Sequence, residues 1–188
     1  MSSLQKVWCQ NDTLKTQSGG RVNDIWQSPD GVLDPVYKYI EPFKFIWEPC
    51  SLPDGAISKY LKKKKHNVKT SDILEGEEYD YNTYFPRGKV ELIVSNPPFS
   101  KKVEFLQRLF EIGLPFVVLL PVRVLETNAA KKLFHDYGHV SIFIPWNRVE
   151  YMKTNGESGK CFFHSCFVMF KLSHETLILE AEPKRTPT

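Results

Sequence analysis

The sequence predicts an α/β fold with a mostly parallel central sheet, helices on both faces and an antiparallel end strand. Apolar runs of strand length alternate along the chain with stretches in which apolar residues recur at helical spacing, the pattern of a parallel sheet covered on both sides. One of these runs, Val90, Glu91, Leu92, Ile93, Val94 and Ser95, reads as a buried strand. A hydrophobic content of 41% and an aromatic content of 13% over 188 residues suit one globular domain that buries its own core.

The elements follow in order. Residues 1–23 are polar and carry Gly19 and Gly20, so they read as a flexible N-terminal arm; residues 24–175 form the domain and 176–188 a C-terminal tail. Val32, Val36 and Ile40 recur at helical spacing over residues 31–40. Residues 43–47 make a first strand, a turn runs from Glu48 to Gly55, and residues 56–65 make a helix. A second strand covers residues 67–70 and ends near Asp72. Residues 75–89 are a polar connection with a short strand at 79–81. Beyond the buried run come a helix at 101–112 with Val103, Leu106, Leu109 and Phe110 on one face, a strand at 114–120, and a helix at 124–137. A strand at 140–144, a glycine-containing loop at 156–159 and a last long strand at 161–172 complete the pattern.

Composition excludes several classes. No apolar run approaches the roughly 20 residues of a membrane helix, and no secretory signal is visible. Cys9, Cys50, Cys161 and Cys166 lie far apart without a C-x-x-C pair, which points to a reducing compartment, the cytoplasm or nucleus, and to neither zinc nor a disulfide framework. The five histidines, His135 and His139 included, also lack metal-ligand spacing. A net charge of +3 permits nucleic-acid binding. Lys59, Lys62, Lys63, Lys64, Lys65 and Lys69 cluster; they complement a helix C-terminus or contact phosphates.

The residues that bear most on function are Asn96, Pro97, Pro98 and Phe99, at the C-terminal end of the buried strand, where open α/β sheets place ligand crevices. The Asn96 carboxamide supplies an acceptor, and two successive prolines fix φ and offer no competing N–H. Such a loop can accept hydrogen bonds from a planar amine through Asn96 and the Pro97 carbonyl, with Phe99 stacked on the ring that bears the amine. Two acceptors pulling on the N–H groups favour the pyramidal, nucleophilic form of an amine whose lone pair is otherwise delocalised. The same four residues also serve as a plain turn with Phe99 plugging the core.

Taken in order, these pieces resemble the class I S-adenosylmethionine-dependent methyltransferases, in the amino-methylating branch that includes adenine N6 methyltransferases of DNA. The resemblance spans roughly residues 24–172 and rests first on Asn96, Pro97, Pro98 and Phe99, which match that branch's (D/N)PP(Y/F) motif. It implies a Rossmann-like methyltransferase fold, S-adenosylmethionine as cofactor, catalytic roles for those four residues, and nucleic acid, DNA first, as partner. It also implies cofactor contacts. Glu48 would meet the ammonium of the cofactor, with the turn at Cys50, Asp54 and Gly55 approaching its amino-acid end. Asp72 would hold the ribose, Ile73 would border the adenine, and Asp80 and Asn96 would stand close by. Trp26, Ser28 and Pro29 are similar to the family's N-terminal cofactor motif. Arg148 and Tyr151 are similar to the tail of small phage-type enzymes, or they belong to a hairpin that closes the sheet.

One departure stands out: Ser51, Leu52, Pro53, Asp54 and Gly55 hold one glycine where the family's cofactor loop usually holds two. Three functions remain open at this point. They are methyl transfer to adenine N6 in DNA, methyl transfer to an RNA base or a protein glutamine, and a non-catalytic methyltransferase-like subunit that binds nucleic acid. No large insertion for target recognition is visible, so strong sequence specificity would need loops, the N-terminal arm or a partner subunit, and either weak specificity or heteromeric assembly is expected.

Overall fold

The structure is a computed structural model that describes residues 27–51, 54–152, 158–159 and 163–180. The chain enters through a 3-10 turn at Asp34–Val36 and a short helix α1 (Tyr37–Ile40). The longer helix expected over 31–40 does not form. Pro35 disfavours the helical region at Asp34, and Gly31 turns the chain with φ 73°.

Strand β1 (Phe45–Pro49), helix α2 (Ala56–Lys63) and strand β2 (Asn67–Ser71) follow, so the first strand runs two residues further than expected and contains Glu48. Two 3-10 turns, Ile73–Glu75 and Glu77–Tyr79, fill the next connection. The strand expected at 79–81 is absent there. The Asp80 carboxylate accepts the Asn82 backbone N–H at 2.9 Å, a local turn that competes with extended pairing.

Strand β3 (Leu92–Ser95), helix α3 (Lys102–Ile112) and strand β4 (Phe116–Pro121) make the next unit. Helix α4 (Asn128–Tyr137) starts later than expected because Thr127 caps it, its hydroxyl accepting the Ala130 N–H at 3.3 Å. Strand β5 (Val140–Ile144), a two-residue hairpin of β6 (Tyr151–Met152) and β7 (Ser158–Gly159), β8 (Ser165–Phe170) and β9 (Leu177–Leu179) complete the described chain.

The strands other than β6 and β7 form one sheet in the order β2-β1-β3-β4-β8-β5-β9. All pairings in it are parallel except those of β8, which runs antiparallel to β4 and β5 and lies between them rather than at the edge. The edge belongs to β9, built from residues expected to form a tail. This is a Rossmann-like α/β sheet.

The period-2 alternation of the strands divides the core into two layers. Ile46, Leu92, Val94, Val117, Leu119, Phe167 and Met169 pack on one face with Ile40 of α1 and Ile57 and Leu61 of α2. Trp47, Ile93, Val118, Leu120 and Val168 pack on the other with Phe105, Leu106 and Leu109 of α3 and Ala130 of α4. Each fully buried large apolar side chain stabilises by roughly 1.5–3 kcal/mol, so α2, through Ile57 and Leu61, and α3, through Phe105, Leu106, Leu109 and Phe110, stay clamped to the sheet. The C-terminal ends of β1, β2 and β3 thereby become a fixed rim. No helix among the described residues is long and apolar enough to cross a membrane.

Candidate functional site

The rim is tied together by polar side chains that point along it. Ser95 Oγ, at the end of β3, donates to the Pro49 carbonyl at the end of β1, 2.6 Å away and buried. Trp47 Nε1 donates to Ser71 Oγ at 3.0 Å, and the Ser51 N–H donates to the Ser71 carbonyl at 3.1 Å. The three strand ends are held in register on either side of the first turn.

That turn bends at Cys50, which takes φ 62°, a left-handed conformation that favours glycine. The chain then opens α2 through Asp54, which is exposed, and Gly55, whose carbonyl accepts the Lys59 N–H at 2.9 Å. Leu52 and Pro53 lie outside the described residues.

Three of the expected carboxylates converge on this bend. Burial first, then the charges of Asp72, Asp80 and Glu48, push the Cys50 thiol well above its ordinary range. Glu48 is 3% exposed. Burial pushes its carboxyl up to about 8, Asp72 adds to the rise, and a hydrogen bond from Ser51 and the Lys62 charge oppose it. Its Oε2 is buried with no hydrogen-bond partner. Asp72 is raised by burial, its Oδ1 accepting the Leu74 N–H at 2.9 Å. Ile73, Leu74 and Phe85 stand 43%, 38% and 41% exposed, so an apolar ledge borders the acids.

The loop at 96–99 springs from the same rim. Asn96 is half-buried, Pro97 buried and Pro98 exposed. Phe99 opens a 3-10 turn, Phe99–Lys101, that leads into α3. Its ring is 8% exposed and meets Tyr151 and Phe163 edge-on, with centroids 5.6 Å and 5.4 Å away. Phe99 is thus a loop anchor seated in the core cluster. Tyr151 is fully buried, and its hydroxyl shares a 2.7 Å hydrogen bond with Ser165 Oγ. Arg148 is exposed, its Nε donating to His164 Nε2 at 3.0 Å.

The structure therefore gathers Glu48, Cys50, Asp72 and Asp80, with the loop that starts at Asn96 joined to them through Ser95. Ser28 and Pro29 precede the first 3-10 turn, and Ser28 Oγ is buried without a hydrogen-bond partner. No hydrogen bond among the described residues links Ser28 to the acids. Trp26 lies outside the described residues. Sequence reasoning missed Ser51, which bonds Glu48, and Tyr81. Cys50 and Asp80 help to raise the Tyr81 hydroxyl above its ordinary range, after burial and Glu104, and its ring packs edge-on against Phe105 at 4.8 Å. The cluster of aromatics over residues 79–85 was the available signal for that wall. A cavity of about 400 Å³ lined by Tyr137, His139, Phe170 and His174, among others, lies at the other end of the strands, where Phe170 pairs with Phe116 and Val140.

No protein family and no curated protein matches the sequence. Among solved structures, the chain described as a "modification subunit of a putative type I restriction enzyme" from Vibrio vulnificus superposes with a TM-score of 0.53 at 9% identity, over 97% of this chain and 53% of that one. A "putative RNA methyltransferase" from Pyrococcus horikoshii matches at TM-score 0.46 and 11% identity, over 72% of this chain and 77% of that one. A TehB-like SAM-dependent methyltransferase from Corynebacterium glutamicum matches at TM-score 0.46 and 13% identity, over 91% and 99%. The chain shares the fold of the Vibrio subunit and spans about half its length.

Proposed function

We propose that this chain is an S-adenosylmethionine-dependent methyltransferase that modifies an exocyclic amine, adenine N6 in DNA. The observation that carries the reading is the meeting of two unlike devices at one sheet end. The buried Glu48 and the half-buried Asp72 flank the bend at Cys50, and a rigid acceptor loop begins at Asn96, with the 2.6 Å hydrogen bond from Ser95 to Pro49 between them.

The donor set fits the cofactor. Glu48 offers a buried carboxyl oxygen with no hydrogen-bond partner to an ammonium group. Asp72 keeps one oxygen on the Leu74 N–H and would offer the other to ribose hydroxyls. Ile73 is exposed where an adenine ring would lie, with Asp80 and Tyr81 behind the bend. When bound there, S-adenosylmethionine supplies an electrophilic methyl group.

The chain's own residues prepare the acceptor. The Asn96 side-chain oxygen and the Pro97 carbonyl take hydrogen bonds from the amine and localise its lone pair, and no strong base is required. Pro98 holds φ at −54°, and Phe99, clamped by Tyr151 and Phe163, fixes the loop from below. Loop rigidity keeps the acceptors aimed, which contributes through alignment. In duplex DNA the target base leaves the stack to reach this loop. Target recognition is assigned to a partner subunit.

The test is transfer of a labelled methyl group to duplex DNA, single-stranded DNA, RNA and protein, with Asn96→Ala as control. Incorporation into adenine N6 of DNA that disappears in the variant supports the reading. Transfer that survives Asn96→Ala, or a folded protein that fails to bind S-adenosylmethionine by calorimetry, refutes it.

A further inference from the structure

The lysines that cluster in the sequence are part of a larger basic face that only the fold assembles. Lys62 and Lys63 lie in the last turn of α2 and Lys64 caps it, a placement the helix dipole explains. The dipole does not explain Lys44, Lys69, Arg87 and Lys89, which come from three other stretches. Lys69 Nζ donates to the Arg87 carbonyl. Lys44 and Lys89 both stand over the Phe45 ring, at 5.8 Å and 5.1 Å from its centroid. The Lys44 carbonyl accepts the Asn67 N–H at 2.8 Å, directly after Lys64, Lys65 and His66. Glu91 is the carboxylate at the centre, and it is already engaged by Lys89 at 2.5 Å and by the N–H groups of Lys44 and Phe45.

The whole chain carries 25 basic and 22 acidic residues, so even mixing would leave any such face nearly neutral. Here Lys44, Lys63, Lys64, Lys65, Arg87 and Lys89 are all exposed. They sit at the N-terminal ends of β1 to β3 and along the outer edge of β2, away from Asn96. Concentrated like charge costs self-repulsion that a polyanion relieves.

We propose that this face is a second nucleic-acid contact that grips the phosphate backbone of the DNA whose base is presented at Asn96. The choice of partner rests on the methyltransferase reading above. A five-residue strand spans roughly 15 Å, and one turn of duplex covers about 34 Å. A single duplex can therefore touch both ends of the sheet. The contact is electrostatic, reads no sequence, and lowers KM for DNA without altering the chemical step.

The experiment measures binding of a labelled duplex of about 30 base pairs by fluorescence anisotropy across a salt series, for the wild-type chain and the triple variant K63Q/K65Q/R87Q. The variant is expected to bind at least tenfold more weakly at low salt, with the slope of log K against log salt reduced by about 2 to 3. The charge-keeping variant K63R/K65R/R87K is expected to retain wild-type binding, and S-adenosylmethionine binding to be equal in all three. Equal DNA affinity and slope in the glutamine variant overturns the proposal, and so does wild-type binding to phosphatidylserine-containing vesicles but not to DNA. DNA binding that depends on the face, with no methyl transfer to any substrate, supports the face and refutes the enzyme. Methyl transfer lost in Asn96→Ala, with KM for DNA unchanged in the glutamine variant, does the reverse.

Discussion

Replacing Glu48 with glutamine separates what this carboxyl does to the fold from what it does to a ligand. Burial, with Asp72 nearby, raises it from 4.5 to about 8. Between those values the native chain holds a proton that the unfolded chain has released. Stability is therefore fully present below pH 4.5 and declines as pH rises to about 8, where the native carboxyl also ionises. At about 1.4 kcal/mol per pH unit, the loss from this one group is about 3 kcal/mol at pH 7. Glutamine has no such proton and keeps a polar group facing Ser51. Urea unfolding of Glu48→Gln and wild type at pH 5 and pH 8 is expected to show the difference in stability moving towards the variant by about 3 to 4 kcal/mol over that interval. The same variant is expected to bind S-adenosylmethionine at least tenfold more weakly, because an amide offers no negative charge to an ammonium. A difference in stability that is flat with pH, or that moves against the variant as pH rises, refutes the account of Glu48 as a buried protonated carboxyl.

Three further outcomes follow from the same geometry. Binding of S-adenosylmethionine at pH 7 is expected to release close to one proton as the incoming ammonium lowers the Glu48 carboxyl. Calorimetry in buffers of different ionisation enthalpy reads that release, which should vanish in Glu48→Gln. Asn96→Ala is expected to lower methyl transfer by about two orders of magnitude or more, whereas Asn96→Asp, which keeps the acceptor, retains most of it; initial rates on saturating DNA decide. Tyr151→Phe removes a buried 2.7 Å hydrogen bond and leaves Ser165 Oγ without it, at a cost of about 1–2 kcal/mol in urea unfolding. The ring contact to Phe99 persists in that variant, so kcat is expected to change less than twofold.

The sheet was legible because its strands are buried on both faces. Leu92, Ile93 and Val94 are apolar in succession, and such runs identify themselves without periodicity. Pairing order was less legible, since the place of β8 between β4 and β5 depends on partners such as Phe116 and Val140, far away in the chain. β9 escaped notice for a local reason: it is three residues long, and Leu177 and Leu179 are 58% and 66% exposed. The rim positions of Glu48, Asp72 and Asn96 were legible because each lies at or beside the end of a strand, which fixes where a side chain arrives. Ser51 and Tyr81 could not, because they sit in turns whose course is set by Asx-type bonds and packing rather than by period. The first loop holds a single glycine, Gly55, which does not make the bend. The structure instead gives the left-handed bend to Cys50, at φ 62°, so a residue other than glycine performs the turn there.

That bend explains why the two halves of the site belong together. A left-handed non-glycine residue costs on the order of 1 kcal/mol and persists only where its surroundings over-determine it. Here the surroundings are the Ser51 N–H on Ser71, the Ser95 hydroxyl on Pro49, and the β1–β2 register that sets Glu48 and Asp72 on either side of Cys50. The first two bonds fix the strand ends, and the third arrangement leaves a buried carboxyl oxygen with no hydrogen-bond partner. A chain selected for stability alone would replace such a carboxyl with an amide or an apolar group, since the acid costs stability at neutral pH and the fold does not need it. In the proposed reading this carboxyl receives the cationic group of the cofactor. The hydrogen bond that anchors the bend also anchors the start of the loop at Asn96, so on the proposed reading a ligand at Glu48 would be held against the loop that would receive the amine.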